Sequence, residues 1–145
     1  MLKKQAAAPE ADFEVKPIDD AFTGIEITKY KGKEQLVVIP ATIQGLPVKR
    51  IGTEAFYENN NLVAVVIPEE VTFIGWRAFF KCTNLSTVVL PSTLKALYDQ
   101  AFGICSSLKS IELPSGLLHI GERAFYSSGV TSINPTGGGL PPHVC

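Results

Sequence analysis

The stretch Ile51-Gly52-Thr53-Glu54-Ala55-Phe56 decides the fold, because its pattern recurs along the chain. An apolar residue and a glycine are followed, after two variable residues, by Ala-Phe. The pattern begins again at Ile74, Leu97 and Ile120, each time 23 residues further on, and Tyr98 replaces the glycine once. Self-similarity at one fixed period of this length is typical of a solenoid, in which each repeat forms one coil.

A second motif keeps the same spacing, with leucines at 62, 85 and 108 that each precede a short apolar run and a proline. Residues 65–67 alternate as a short strand, which Pro68 ends because proline donates no ladder hydrogen bond. Gly75 is expected to permit a sharp turn, and the Ala-Phe step to begin a short helical turn. We predict a right-handed repeat solenoid, mainly β with short helical turns and a parallel sheet on one face. The residues expected inside one coil are Leu62, Val65, Ile67, Val71, Ile74, Ala78, Phe79 and Cys82.

The chain before the repeats predicts a cap. Ile25, Ile27 and Tyr30 alternate before Lys31-Gly32-Lys33, and an apolar segment from Leu36 to Ile39 follows. This arrangement is typical of a hairpin that covers the first coil. We divide the chain into a flexible N-terminus (1–12), a cap hairpin (13–35), a solenoid of about four 23-residue repeats (36–135) and a flexible Gly/Pro tail (136–145).

The repeats from Leu36 to about Pro135 resemble the BspA-like, or treponemal-type, leucine-rich repeats of bacterial and some protist surface proteins. The insertion Ile43-Gln44-Gly45-Leu46-Pro47-Val48 looks like the usual opening of that family. The departures are Tyr98 in a glycine position, a last repeat that is one residue short, and the lack of a C-terminal cap. The resemblance implies a non-enzymatic interaction module, often in adhesion to host proteins, other bacteria or matrix, at the cell surface, in the periplasm or secreted.

Composition argues against several other classes of protein. The 13 basic and 14 acidic residues are evenly spread and leave a charge of -1, so nothing favours nucleic-acid binding. Hydrophobic residues make up 46% of the chain, which is incompatible with wholesale disorder. No run of about 18 apolar residues predicts a membrane-spanning helix. No apolar stretch follows the first lysines as in a secretory signal, so either the protein stays inside the cell or this is a mature form.

Residues able to carry catalysis are scarce. His119 occupies a variable, outward repeat position, without a second ligand at metal-binding spacing, and His143 lies in the tail. Gly137-Gly138-Gly139 precedes no helix pattern and is not a phosphate-binding loop. We predict no enzymatic activity, no metal and no cofactor.

Two of the three cysteines share one repeat position. Cys82 and Cys105 are 23 residues apart, and a strand spacing of about 4.8 Å permits a disulfide. A free thiol also packs as a small apolar group, and Asn59 in the equivalent position shows that sulfur is not required. We favour two buried thiols. Cys145, in the tail, could crosslink chains.

The strand residues that face outward predict an interface. Val38, Val66, Val89 and Glu112 form one outward column, flanked by Leu36, Ala64 and Thr87. Three exposed valines ending in a charge are a candidate protein-binding stripe, although the β-propensity of valine is the alternative explanation.

A second column is aromatic and follows the Ala-Phe step. Tyr57, Phe80 and Tyr126 occupy equivalent positions, Gly103 stands in the fourth, and Trp76 lies nearby. Such side chains could bind a partner or sugar rings if they are exposed, or pack between turns if they are not.

Two functions therefore remain open. The first is binding of a foreign protein through the stripe, as in bacterial adhesion or host-protein binding. The second is a self-assembling structural unit, a homo-oligomer in which the stripe and an uncapped end bind copies of the same chain.

Overall fold

The computed structural model describes residues 6–135, which form short strands and turns wound into stacked coils. One turn of 3-10 helix, Glu10–Asp12, precedes the strands. The strands are β1 (Phe13–Pro17), β2 (Ile25–Tyr30), β3 (Leu36–Val38), β4 (Thr42–Ile43), β5 (Leu46–Ile51), β6 (Ala64–Val66), β7 (Phe73–Ile74), β8 (Thr87–Val89), β9 (Ala96–Leu97), β10 (Ser110–Leu113), β11 (His119–Ile120) and β12 (Ser132–Pro135).

Parallel strands line two sides of the coils. On one side β2, β5, β7, β9 and β11 form a continuous sheet, to which β1 adds an antiparallel edge. On the other side β3, β6 and β8 form a sheet of three strands, and β10 pairs separately with β12. Ile51 is in register with Ile74, and Ile74 with Leu97, so the ladder advances by the sequence period. The predicted solenoid with a parallel sheet is confirmed.

The core runs along the solenoid axis. All eight positions expected inside the coil are at most 2% exposed. Phenylalanines one period apart stack, with ring centroids 4.7 Å apart for Phe56 and Phe79, 5.1 Å for Phe79 and Phe102, and 5.9 Å for Phe102 and Phe125. Each ring is covered by the rings of neighbouring coils, so a single coil has no closed core of its own.

Each segment after the glycine motif forms a single turn, because its backbone N–H groups donate alternately to carbonyls of the same turn and to carbonyls of the next coil. The N–H groups of Ala55 and Tyr57 donate to carbonyls three residues earlier, whereas those of Glu54 and Phe56 donate to the next coil. Glu54 has a φ of 56°, in the left-handed region, and its counterparts one period later do likewise. A continuous helix would use these N–H groups internally, so stacking limits the predicted helical character to one turn.

The repeated glycine serves close packing rather than the sharp turn expected of it. Among the described glycines only Gly45 has a positive φ, of 79°. A Cβ at Gly75 would lie 3.0 Å from the carbonyl carbon of Gly52 and from the nitrogen of Thr53. Backbone of the preceding coil therefore occupies the space that a side chain would need.

The N-terminal cap is a hairpin, but its strands differ from the predicted pair. β2 pairs antiparallel with β1, whereas β3 belongs to the solenoid and pairs with β6. The segment expected to be flexible through residue 12 is packed from Ala8, whose N–H donates to the carbonyl of Val38 at 2.8 Å. Both differences arise because the edges of the first coil offer hydrogen-bond partners to the preceding chain.

The family-like insertion in the first repeat forms a second small hairpin. β4 and β5 pair antiparallel around Gln44 and Gly45, whose φ angles of 56° and 79° are both positive. Two positive φ angles are the signature of a tight turn that matches the twist of the flanking strands.

The two cysteines of the repeat are free and buried, as predicted. Cys82 Sγ donates to the carbonyl of Phe56, and Cys105 Sγ to that of Phe79, each at 3.1 Å. The predictions that concern Gly137–Gly139, His143, Cys145 and the tail lie outside the described residues.

Candidate functional site

The outward strand residues line up across the sheet as their spacing predicts. Leu36 is in register with Ala64 and Thr87, and Val38 with Val66 and Val89. Leu36 is 46% exposed, and Thr87 is exposed as well. We call this surface, on β3, β6 and β8, the strand face.

The strand face is not a continuous exposed stripe. Val66 is only 8% exposed and Ala64 only 4%, so the prediction of exposure was wrong for both. They lie on β6, the central strand, and are covered by side chains of the neighbouring strands, about 4.8 Å away on each side. The register partners are Leu36 and Thr87 for Ala64, and Val38 and Val89 for Val66. Val38 and Val89, on the outer strands, keep intermediate exposure.

Glu112 is exposed but lies beyond a gap in the sheet. Ile39 N–H donates to Val66 and Ile67 N–H donates to Val89, each at 3.0 Å. Within residues 6–135 the equivalent bond from Leu90 to Glu112 is absent, and no ladder joins β8 to β10.

A cleft of about 430 Å³ opens at this gap. Its walls combine apolar groups of Val88, Val89 and Leu90 with the carboxylates of Glu69 and Glu112. The backbone N–H of Ser92 donates to Glu69 at 3.0 Å, and the hydroxyl of Ser92 donates to the same carboxylate, which holds it at the rim. No basic side chain is among the described lining residues, so the cleft suits an apolar group that has a positive charge beside it.

The aromatic column is divided between exposed and packed rings. Tyr57 is 37% exposed and Tyr126 47%, but Phe80 is only 6% exposed and follows the other alternative, packing between turns. Phe80 stacks on Tyr57 with centroids 5.9 Å apart, and it fills the space that Gly103 leaves open. A Cβ at Gly103 would lie 2.8 Å from the Phe80 ring, so the missing side chain in the column is the signal for this burial.

Arginines that the sequence did not single out accompany these rings. The Arg77 guanidinium lies 4.5 Å from the ring centroids of both Trp76 and Phe80, and its Nε donates to Gln100 at 2.6 Å. Arg123 lies 5.5 Å from the centroid of Tyr126. Trp76, at 41% exposure, therefore has a cation over its ring already.

A second cavity, of about 400 Å³, lies over the continuous sheet. Its lining residues are Glu26, Gly52, Thr53, Phe73, Gly75, Trp76, Tyr98 and Asp99. Of these only Trp76 was predicted as a site residue. Tyr98 was the available signal for this cavity in the sequence. It places a large ring at a repeat position that is glycine in the other three coils.

Burial makes the two repeat cysteines unreactive. Burial raises the pKa of the Cys82 thiol to about 12 and also raises the pKa of Cys105, so neither is a thiolate nucleophile at neutral pH. Among the described residues no three His, Cys, Asp or Glu side chains are grouped to hold a metal ion. The described part of the chain also lacks a helix long and apolar enough to cross a membrane.

Comparison with known proteins agrees with this architecture. Residues 19–138 match the model described as "BspA type Leucine rich repeat region", in six copies. A crystal structure of a Treponema pallidum leucine-rich repeat protein is 32% identical, with 88% of this chain and 71% of that chain covered and a TM-score of 0.75. One from Bacteroides capillosus is 28% identical, with 92% and 100% covered and a TM-score of 0.77. No match was found among curated proteins.

The same fold occurs in the pneumococcal vaccine antigen PcpA. That structure is 20% identical to this chain, with 76% of this chain and 27% of that chain covered and a TM-score of 0.69. At this identity the likeness concerns the fold alone.

Proposed function

This chain belongs to the BspA-type leucine-rich repeat family, and on that premise we propose that it is a non-enzymatic module that binds a protein partner through the cleft between β8 and β10. Repeat proteins of this kind present extended surfaces that suit protein interaction. The cleft is where the strand face departs from a closed sheet.

The missing ladder between β8 and β10 is the observation that carries the proposal. An interrupted sheet leaves strand edges facing a cavity, and such edges readily accept another chain. Val88, Val89 and Leu90 supply an apolar wall, and Glu69 and Glu112 supply negative charge at the rim. We infer an extended partner segment with an apolar side chain next to a lysine or arginine.

The partner is a host or matrix protein, as the resemblance to surface proteins implies, and the protein then acts at the bacterial cell surface. This proposal uses two of the predicted interface residues most directly, Val89 and Glu112, with Thr87 beside them. Leu36 and Val38 extend the same face away from the cleft, with Ala64 and Val66 on β6 between them and β8.

The test is binding of the purified chain to immobilised collagen, laminin and fibronectin, with Val89→Lys as the variant. A lysine would place a cation on the apolar wall, and we expect binding to weaken at least about tenfold. Ser106→Lys adds the same charge at an exposed position outside the cleft and should bind as the original chain does. Equal binding by Val89→Lys would contradict the site, and absence of binding to all three proteins would contradict matrix adhesion.

Self-assembly is the second candidate function. Pairing of a second copy with the outer edge of β3 is disfavoured, because the N-terminal segment occupies part of that edge. Ala8 already donates to Val38 along the outer edge of β3, which leaves less of that edge for another copy. Light scattering over a range of concentrations, with and without reductant, tests it. A concentration-dependent oligomer that Val89→Lys dissociates would support assembly through the strand face.

A further inference from the structure

The cavity over the continuous sheet is a trough with aromatic walls, separate from the proposed protein-binding cleft. The backbone of Gly52 and Gly75 forms part of its lining. Phe73, two residues before Gly75, and Trp76, immediately after it, also line the trough. Tyr98, one period beyond Gly75, closes one end.

The aromatic residues hold one another in place. The rings of Phe73 and Tyr98 meet edge to face, with centroids 5.2 Å apart and planes at 87°. Tyr98 also contacts His119, at a centroid distance of 5.6 Å. Tyr98 and Trp76 nevertheless remain 40% and 41% exposed, so both offer ring surface to a ligand.

Hydrogen-bonding groups lie at the two ends of the trough. At one end the Glu26 carboxylate packs against Gly52, and a Cβ at Gly52 would lie 2.6 Å from Glu26 Oε2. Weak ion pairs with Lys16 (3.7 Å) and Arg50 (4.0 Å) orient this carboxylate. At the other end Asp99 Oδ1 accepts the N–H of Glu122 at 3.0 Å.

The charges near the trough argue against a cationic ligand. Arg50 lies 4.9 Å from the centroid of Phe73, and Arg77 lies 4.5 Å from that of Trp76, so the chain supplies cations to both rings itself. Glu26 is already paired with two basic groups. An acidic ligand is disfavoured as well, because Asp99 and Glu26 are the charged groups of the lining.

A neutral ligand with apolar faces and a hydroxyl-bearing rim fits these observations. A pyranose ring stacks its C–H face on aromatic rings, while its hydroxyls donate to carboxylates. A volume of about 400 Å³ lies in the range of small-ligand sites. We propose that the trough binds a neutral oligosaccharide, with a β-linked gluco-configured ring over Gly52 and Gly75, because equatorial hydroxyls leave both faces of that ring as C–H.

The experiment uses Trp76, the only tryptophan in the chain, as an intrinsic reporter. Its fluorescence is titrated with cellotetraose and chitotetraose into the millimolar range, and with a galacturonate tetramer as an acidic control. We expect a saturable change with at least one neutral tetramer and none with the acidic one. A response to chitotetraose alone identifies acetamido-bearing glycans as the source, and a response to cellotetraose alone identifies plain glucans.

Matched variants assign the response to the trough. Tyr98→Gly restores the residue that the other coils carry at 52, 75 and 121, and it should weaken binding about tenfold through the lost ring contact. Asp99→Asn keeps the carbonyl acceptor for Glu122 and removes the charge, and it should weaken binding severalfold. Phe22→Ala removes a more exposed ring (58%) that lies outside both the trough and the aromatic column, and it should leave the affinity unchanged.

Three results would overturn the proposal. The first is no saturable change with either neutral tetramer, and the second is a change that Tyr98→Gly leaves intact. The third is saturation by tetramethylammonium at lower concentration than by either sugar, which would assign the aromatic walls to cations instead. Val89→Lys, on the other sheet, should not alter the titration, so this result and the protein-binding result are independent.

Discussion

At the scale of single residues, the neighbour one period away decides which side chain a position accepts. Phe80 is buried because Gly103 follows it by 23 residues. Phe73 has the small Ala96 as its register partner and contacts the Tyr98 ring two residues further on. Cys82 fills its core position as a neutral thiol that donates to Phe56. Burial that depends on the protonated form makes stability sensitive to pH.

We therefore predict that the two buried thiols lower stability at alkaline pH. The pKa of Cys82 is about 8.5 in the unfolded chain, whereas burial raises it to about 12 in the folded chain. Between these values the unfolded state loses a proton that the folded state keeps. The free energy of unfolding then falls as pH rises, by up to about 1.4 kcal/mol per pH unit for each thiol, and no such loss occurs at lower pH.

Urea unfolding at pH 7, 8.5 and 10 measures this effect, with Cys145→Ser in every sample to prevent crosslinking. The double variant Cys82→Ala, Cys105→Ala should be less stable at pH 7, because it leaves cavities, but should lose less stability between pH 8.5 and 10. Lysines and tyrosines titrate in both chains and cancel from the comparison. Parallel pH profiles would contradict the prediction.

At the scale of the elements, close stacking of coils explains the glycine motif. A Cβ at Gly121 would lie 2.4 Å from the nitrogen of Asp99 and 2.6 Å from the carbonyl carbon of Tyr98. Backbone atoms in a stacked coil cannot move aside locally. At Gly116 the nearest atom to a Cβ would be the end of the Lys95 side chain, at 2.9 Å, which can turn away.

Gly121→Ala should consequently destabilise the fold by about 2 kcal/mol or more, because it forces two coils apart. Gly116→Ala removes the same flexibility from the unfolded chain without a backbone clash, and it should be neutral or stabilising by up to about 1 kcal/mol. Thermal unfolding of the two variants beside the original chain measures the difference. Similar melting temperatures for both variants would show that the coils can separate at little cost.

The sequence predicts contacts within the repeat well, because the period alone places Ile51 beside Ile74 and the phenylalanines in one stack. It predicts less where an outcome depends on several strands at once. The burial of Val66 depends on the strands on both sides of β6. The pairing of β2 with β1 could not be chosen from the sequence, because the apolar residues of β3 made it an equally good partner for β2. The trough could not be predicted from one repeat position, because its lining combines three: that of Phe73, that of Gly75 and Tyr98, and that of Trp76 and Asp99.

The gap between β8 and β10 could not be read from the sequence either. Leu108, Ile111 and Leu113 repeat the motif of the preceding coils, and all three are buried. The pattern of inward residues therefore continues across a boundary at which one of the two ladders stops. A motif of this kind reports which side chains enter the core, but not whether the strand edges remain close enough to pair.

At the scale of the whole molecule, this gap makes the solenoid asymmetric. Coils of a repeat protein are held by nearest-neighbour interfaces, so stability is distributed according to those interfaces. Across the boundary, the coil of β10 and β11 is joined to its predecessor through β9 and β11 and through the turns, as in the bond from Phe102 to Ala124 at 2.8 Å. At the opposite end of the solenoid, β3 retains its full ladder with β6, and the hairpin of β1 and β2 covers the first coil.

Hydrogen exchange measured by mass spectrometry should therefore show the C-terminal coils opening first. Peptides that cover 110–135 should exchange faster than those that cover 25–51, where both ladders are complete and the hairpin of β1 and β2 covers the coil. Amides in β10 keep only the ladder to β12 and those in β11 only the ladder to β9, so neither strand is protected on both sides. Equal protection at the two ends would mean that the turns and the core stack compensate for the missing ladder. A binding partner that fills the cleft should slow exchange in β10 above all, since it would supply the hydrogen bonds that β8 does not.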